Sequence, residues 1–328
     1  MEKPVLVSGI QPTGKLHLGN YLGAIKNFVN LQNSGKYNCF FFIADLHSLS
    51  ENFNPQEKNH QIKEMLADYL ALGLDFKKSV IFQQSEILEH SELAILLNNI
   101  TPLGDLQRMT QFKDKVLKQK ENINAGLLYY PVLMAADIIL YDAAFVPIGD
   151  DQLQHLELTR TIVRKFNARF GKTFIEPKPI LTKSSRLMSL NHPQKKMSKS
   201  EPLGCLFLDD EPEVIQEKIK HAVTDSESEI KYDKVNKPGI SNLLQIYSEL
   251  NEIPISGVEK KFKGASYQEF KQAVAQTIIN YFDNFRKIKQ SILKDQKFIR
   301  DLKTNNHKAQ IIAHQKLLKV KSKMGILI

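Results

Sequence analysis

The chain has no tryptophan and only two cysteines, Cys39 and Cys205, among its 328 residues. No Cys-x-x-Cys spacing exists, which excludes the usual zinc and iron–sulfur sites. Two isolated thiols fit a reducing compartment rather than a disulfide framework. No apolar run approaches the roughly 20 residues that span a bilayer, which argues against a membrane protein. The N-terminus enters a strand pattern without a signal-peptide core, so cytoplasm is the expected location. Neither G-x-G-x-x-G nor a Walker loop occurs, so no dinucleotide or P-loop site is indicated. No internal repeat and no low-complexity segment is present.

What is there is an ordinary globular composition, 42% hydrophobic and 25% charged, with an uneven charge. The net charge is +9, yet residues 258–328 hold 16 Lys+Arg against 5 Asp+Glu, a local +11 that leaves −2 for the rest. A basic block on a near-neutral body points to an anionic partner, nucleic acid first, or to a solvated lysine-rich surface.

The first half alternates strand and helix patterns. Val5-Leu6-Val7, Cys39 to Ile43, Ser79 to Phe82 and Phe145 to Ile148 read as strands. Leu18 to Leu31, Gln56 to Leu72, Ser91 to Asn98, Pro131 to Tyr141 and Gln152 to Phe170 read as helices. This order predicts an α/β fold, a Rossmann-like doubly wound parallel sheet with helices on both faces. Ligands of such sheets bind at the carboxyl ends of the strands. Lys172 to Lys183, with Pro177 and Pro179, reads as a connector. Beyond Glu201 the pattern is helical, so the expected division is a catalytic domain, 1–200, and an all-helical domain, 201–328. In the latter, Phe270, Val274, Ile278, Phe282, Phe285, Ile288 and Ile292 form one stripe. Ile311, Ile312, Leu317, Leu318 and Val320 lie in a final basic helix.

Two segments carry phosphate-type chemistry. After the first strand, Gly9-Ile10-Gln11-Pro12-Thr13-Gly14 leads into His17-Leu18-Gly19-Asn20 at a helix start. Backbone N–H groups there face an anion, and His17 and Asn20 add side-chain donors. Far downstream, Lys196-Met197-Ser198-Lys199-Ser200 places two mobile cations on a polar loop able to follow charge onto a leaving pyrophosphate. A chance match to one fixed pentamer in a chain this long is about one in ten thousand. The two segments together read as two walls of one ATP site.

These motifs resemble the class I aminoacyl-tRNA synthetases. Asn20 replaces the second histidine of the family's His-x-Gly-His, a departure habitual in its tryptophanyl branch. Met109-Thr110-Gln111-Phe112-Lys113, Tyr130 to Tyr141, Val146 to Arg160, Ala222 to Ser226 and Pro238 to Leu244 resemble that branch as well. The likeness runs from about Val5 to Leu250 and thins beyond. It implies activation of L-tryptophan with ATP, Mg2+ being carried by ATP with no dedicated metal site. Transfer of the aminoacyl group to tRNA(Trp) follows, and the enzyme is expected to be a homodimer.

By the same resemblance, Lys196, Lys199, His17, Asn20 and Lys113 act on the phosphates. Gln11, Pro12, Thr13, Gly19, Gly149, Asp150, Asp151, Leu187, Met197, Ser198 and Ser200 line the nucleotide. Asp137 accepts the indole N–H with Met134 against the ring, three residues away on one helix face. Tyr130, His47, Gln152 and Gly9 complete the amino-acid pocket. Several of these residues have ordinary structural readings too: Asp150 and Asp151 as helix caps, Met134 and Leu187 as core. Tyr267, Phe270, Phe285 and Phe298 could stack on RNA bases or be core. A tyrosine-specific enzyme, a non-catalytic RNA-binding paralogue and a nucleotidylyltransferase are the competing functions.

Overall fold

The computed structural model describes residues 3–50, 52–118, 124–181, 186–295 and 297–327. Five strands form one all-parallel sheet: β1 (Val5–Ile10), β2 (Asn38–Ile43), β3 (Ser79–Gln83), β4 (Phe145–Ile148) and β5 (Lys178–Leu181), in spatial order β3-β2-β1-β4-β5. The order reverses between β1 and β4, and a crevice opens there at the carboxyl ends of the strands. Side chains alternate between two cores. Leu6, Phe41 and Ile81 enter one, whereas Val7, Phe40, Phe42 and Phe82 enter the other. Coverage on both faces is why β2 reads as an unbroken apolar run.

After β1, α1 (Leu18–Asn20) passes through a π-helical turn (Tyr21–Ile25) into α2 (Lys26–Asn33), and α3 (Pro55–Ala71) joins β2 to β3. α4 (Glu89–Asn98), α5 (Leu103–Gln107), α6 (Thr110–Lys118) and α7 (Ala125–Ile139) lie between β3 and β4. α8 (Leu153–Phe170) joins β4 to β5. The rest is helical: α9 (Pro212–Lys220), α10 (Pro238–Asn251), α11 (Ile255–Lys261), α12 (Tyr267–Lys294) and α13 (Lys297–Met324).

The doubly wound sheet is as expected, with three local differences. First, the connector contains strand β5 (its end at 182–183 lies outside the described residues). β5 pairs only with β4, and Pro179 is tolerated because an edge strand has one unpaired side. Second, α7 starts at Ala125 and carries Pro131 inside it. Asn124 caps it by accepting from the Leu127 N–H at 3.3 Å.

Third, the α12 stripe fails at its end. Phe270, Val274, Ile278, Phe282 and Phe285 are buried, but Ile288 is 45% exposed and Lys289 is buried in its place. The Lys289 ammonium lies 2.6 Å from Glu64, 2.8 Å from Asp68 and 3.5 Å from Asp209. Burial opposes its charge, but these carboxylates outweigh that and hold it protonated. Burial pushes Asp68 itself up to about 7, although Lys289 pulls the other way.

Residues beyond 200 enter both cores. Ile215, Leu243 and Phe270 join the first; Ala309, Ala313, Leu317 and Val320 of α13 join the second. Ile311, Ile312 and Leu318 face solvent. Asn306 of α13 accepts the Gln83 N–H at 3.0 Å, covering the open edge of β3. Phe270, Phe285 and Phe298 are core side chains and so are not stacking platforms, whereas Tyr267 is half-buried with its hydroxyl held by Asp225 at 2.7 Å.

Gly239 marks where α10 meets the preceding loop. A Cβ there would stand 1.9 Å from the Val223 carbonyl oxygen, a backbone atom with little room to yield. Gly239→Ala is expected to cost at least about 2 kcal/mol, read from urea unfolding midpoints. An unchanged midpoint would contradict the close packing.

Candidate active site

Leu16, His17 and Leu18 run antiparallel to Leu206, Phe207 and Leu208. The Leu18 N–H donates to Leu206 O at 2.8 Å and the Leu208 N–H to Leu16 O at 3.0 Å. The lysine pentapeptide forms the return arm of a hairpin just before this ladder. In it the Met197 N–H donates to Leu187 O at 3.0 Å and the Ser189 N–H to Lys195 O at 2.8 Å. Asn242 of α10 grips the other arm, accepting from the Met188 N–H and donating to its carbonyl, both at 2.9 Å. Lys199 then crosses to the first loop. Its ammonium lies 3.2 Å from Gly14 O and 3.4 Å from both Thr13 O and Thr13 Oγ1. The two walls expected from sequence are in contact.

His17 caps α1 reciprocally: its Nδ1 accepts the Asn20 N–H at 3.3 Å, and Asn20 Oδ1 accepts the His17 N–H at 3.2 Å. Burial, with the charges of Lys199 and Lys196, pushes the ring down to about 4. The imidazole is therefore neutral at pH 7. With Nδ1 accepting, Nε2 carries the proton and is a donor. Gly19 lies beneath it: a Cβ there would sit 3.0 Å from the ring and 4.0 Å from Leu187 Cβ. Leu187 and Met197 are buried, Lys196 is exposed, and Ser198 and Ser200 hydrogen-bond each other at 2.8 Å.

Across the crevice, Gly149 follows β4. A Cβ at Gly149 would stand 2.8 Å from Asp151 Oδ1. Asp150, Asp151 and Gln152 are exposed. Gln111 of α6 donates to Asp151 O at 3.2 Å and accepts from the Tyr130 hydroxyl at 3.1 Å. Lys113 is exposed on the same helix. Gly9 packs against the Phe42 ring, which a Cβ would approach to 2.6 Å. Among the described residues no group of three His, Cys, Asp or Glu side chains could hold a metal.

Asp137 on α7 is 1% exposed. It does not wait for one donor. Oδ2 accepts from His47 Nε2 at 2.7 Å, and Oδ1 accepts from His90 Nδ1 at 2.6 Å and Gln84 Nε2 at 2.8 Å. Burial alone would push this carboxyl up; the His47 and His90 hydrogen bonds outweigh it and hold the group at about 2. A carboxylate offers about four lone-pair positions, so one remains, on Oδ2. The Tyr130 ring stands 6.4 Å from the His47 ring at 79°, and Met134 is half-buried one turn before Asp137. A cavity of about 310 Å3 opens instead at the amino ends of β1–β3, lined by Val5, Phe40, Lys77, Tyr141 and Lys308 among others. It contains none of the motif residues.

The family of tRNA synthetases class I (W and Y) matches residues 1–283. A tryptophan–tRNA ligase of Caldanaerobacter subterraneus subsp. tengcongensis is 47% identical, over 98% of each chain. The chain belongs to the class I tRNA synthetases of the W and Y type. Its fold overlays the tryptophanyl-tRNA synthetase of Mycoplasma pneumoniae with TM-score 0.89 at 36% identity, covering 99% of this chain and 98% of that one. The Campylobacter jejuni enzyme, solved with ADP and tryptophan, gives 0.84 at 32%, covering 98% and 99%.

Several residues around the candidate site were not expected there. Asn242 lies in the family-like segment Pro238 to Leu244, but its grip on Met188 appears only in three dimensions, as does the Gln84–His90 pair. Gln84 directly follows β3, a strand-end position that could have flagged it. Lys58 also escaped: its ammonium lies 3.4 Å from Pro12 O and 3.1 Å from Ser48 Oγ, on the same loop that Lys199 holds.

The depressed His17 pKa has a sign that can be measured. Unfolded, the ring takes up a proton near 6.5; folded, near 4. The unfolded state binds more protons in between, so stability is full above that window and falls as pH drops through it. The wild type is expected to lose up to about 3 kcal/mol there, while His17→Asn, which keeps a capping side chain, loses less. Urea midpoints at the two ends of the window read the difference, and identical profiles would refute the shift.

Proposed function

We propose that this synthetase is a tryptophan–tRNA ligase using Mg-ATP. A carboxylate oxygen of L-tryptophan attacks the α-phosphorus, the bond to the bridging oxygen breaks, and pyrophosphate leaves. The terminal adenosine 2′-hydroxyl of tRNA(Trp) then takes the aminoacyl group and AMP departs. Mg2+ enters bound to the phosphates as part of the substrate. The observation that carries this reading is the ladder between Leu16–Leu18 and Leu206–Leu208. It brings His17, Asn20 and the two lysines to the mouth of the sheet crevice.

In this reading His17 donates Nε2–H to a phosphate oxygen without adding positive charge. Asn20 holds the histidine in place, and Lys196, Lys199 and Lys113 follow the leaving pyrophosphate. Gln11, Pro12, Thr13, Gly19, Leu187, Met197, Ser198 and Ser200 frame the nucleotide, with Gly149, Asp150 and Asp151 at its ribose end. The last lone pair of Asp137 Oδ2 takes the indole N–H. Met134, Tyr130, His47 and Gly9 surround the ring, and Gln152 faces the ammonium. Preorganised charge and positioning supply the catalysis, and no covalent enzyme intermediate is needed.

The helical part, 201–328, would contact the tRNA anticodon. Lys303, Lys308, Lys319 and Lys323 are exposed along α13, and phosphate contacts need no fixed spacing. No helix among the described residues is long and apolar enough to cross a membrane, and a cytoplasmic enzyme fits that.

ATP–pyrophosphate exchange tests the reading. Exchange is expected with tryptophan and not with tyrosine, and Lys199→Ala should lower it by about 100-fold or more. Exchange with tyrosine alone would overturn the substrate, and full activity in the variant would overturn the loop's role.

Dimerisation is proposed from the surface. On α4, Leu93 and Leu97 are core, whereas Leu88 just before it is 74% exposed and Ile95 64% exposed. They are seven residues apart and so share a face. The double variant Leu88→Asp, Ile95→Asp is expected to sediment as a monomer where the wild type is a dimer. A wild type that is monomeric at micromolar concentration sinks the proposal.

A further inference from the structure

Asp137 is held from behind by a chain of buried groups that never reach the crevice. Its Oδ1 accepts from His90 Nδ1 at 2.6 Å and from Gln84 Nε2 at 2.8 Å. His90 Nε2 lies 2.8 Å from the Tyr141 hydroxyl. His90 is 0% exposed and Tyr141 2%. The His90 ring is packed among Phe42, Phe82 and Tyr141, with centroids 6.1, 5.9 and 5.5 Å away.

The direction of each hydrogen bond follows from chemistry. An ionised carboxylate only accepts, so His90 Nδ1 must carry a proton. A buried hydroxyl proton must go to an acceptor, and Nε2 is the atom within reach of Tyr141. The chain therefore runs Tyr141 O–H to His90 Nε2, then His90 Nδ1–H to Asp137 Oδ1. With Gln84 also donating, Oδ1 is saturated. The carboxylate cannot rotate to present a different oxygen without breaking two bonds at once. The remaining acceptor position is confined to Oδ2, beside His47.

We propose that His90, locked in one tautomer by Tyr141, is the specificity-positioning residue of the amino-acid pocket. It acts through Asp137 and does not touch substrate. This rests on Asp137 being the indole acceptor. Its consequence concerns discrimination. Phenylalanine carries no donor and leaves one lone pair of Oδ2 unfilled. That vacancy counts only while the carboxylate is held facing the ligand. Once Oδ1 is released, Asp137 can turn, satisfy itself elsewhere and stop distinguishing the two.

The test compares exchange kinetics of the full-length enzyme and its variants. In His90→Leu the tryptophan KM is expected to rise about 10- to 100-fold, with the KM for ATP within about twofold of wild type, the scatter of a distant substitution. The preference for tryptophan over phenylalanine should fall with it. His90→Asn places an amide N–H where Nδ1–H stood and should recover most of the loss. A purely structural role would instead move kcat and both KM values together, with no selective rescue. Histidine 15N spectra of the wild type should show His90 protonated at Nδ1 and bare at Nε2. In Tyr141→Phe, a variant that keeps the ring packing, the Nε2 signal should move. Should His90→Leu fail to fold, the Asn and Phe variants and the spectra carry the test.

Two failures are separable. Asp137→Asn with unchanged tryptophan KM and unchanged preference would remove the indole reading itself. A damaged Asp137→Asn enzyme beside an unaffected His90→Leu enzyme, or a His90 found protonated at Nε2, would overturn this proposal alone. The absence of tryptophan from the chain means that emission excited at the red edge of the indole band comes from added ligand. Binding can thus be followed apart from turnover.

Discussion

The short ladder between Leu16–Leu18 and Leu206–Leu208 is the interaction on which the site depends. Two hydrogen bonds join segments almost 190 residues apart, and closing so long a loop carries an entropic cost the ladder alone cannot offset. The sheet offsets it. β1 places the first loop at the crevice, and α9 and α10 pack in the same core as Leu206 and Leu208. Asn242 then fixes the hairpin from α10. Without the ladder, Lys196 and Lys199 would be solvated cations on a surface loop.

The molecule handles buried polarity in three ways, each matched to its place. His17 stays neutral because it is buried, with the charges of Lys199 and Lys196 adding to the effect; it can donate to an anion while the lysines supply the charge. Asp137 stays charged because three donors surround it, and a buried charge is tolerable only when so satisfied. Lys289 stays charged among three carboxylates that tie α3, α12 and the segment after the lysine hairpin together. That last cluster is structural: it links the helical part to the sheet layer through Glu64 and Asp68.

Much of this was legible in the chain. β2 is a continuous apolar run because both its faces are covered, and the lysine pentapeptide is too specific to be chance. Other features were hidden for definite reasons. Pro179 disguised β5, since proline argues against a strand only when both edges are paired. Lys289 broke the periodic rule because its partners lie on α3 and beyond the hairpin, out of reach of any local window. His90 and Gln84 sit among ordinary residues near the start of α4. Only the depth of Asp137 makes them donors to a carboxylate. The π-helical turn after α1 has no local signature that we can identify.

The sequence by itself determined the alternating α/β order, the two motif-bearing loops, the basic C-terminal block and, through resemblance, the family. Those properties are local: periodicity, residue type and short spacing are properties of neighbours along the chain. Tertiary structure alone decided which distant groups meet. It set Lys199 against Gly14, His17 between two lysines, His90 behind Asp137 and α13 along the edge of β3. The physical reason is that hydrogen bonds and desolvation act over a few ångströms of space, and folding chooses which residues share that space.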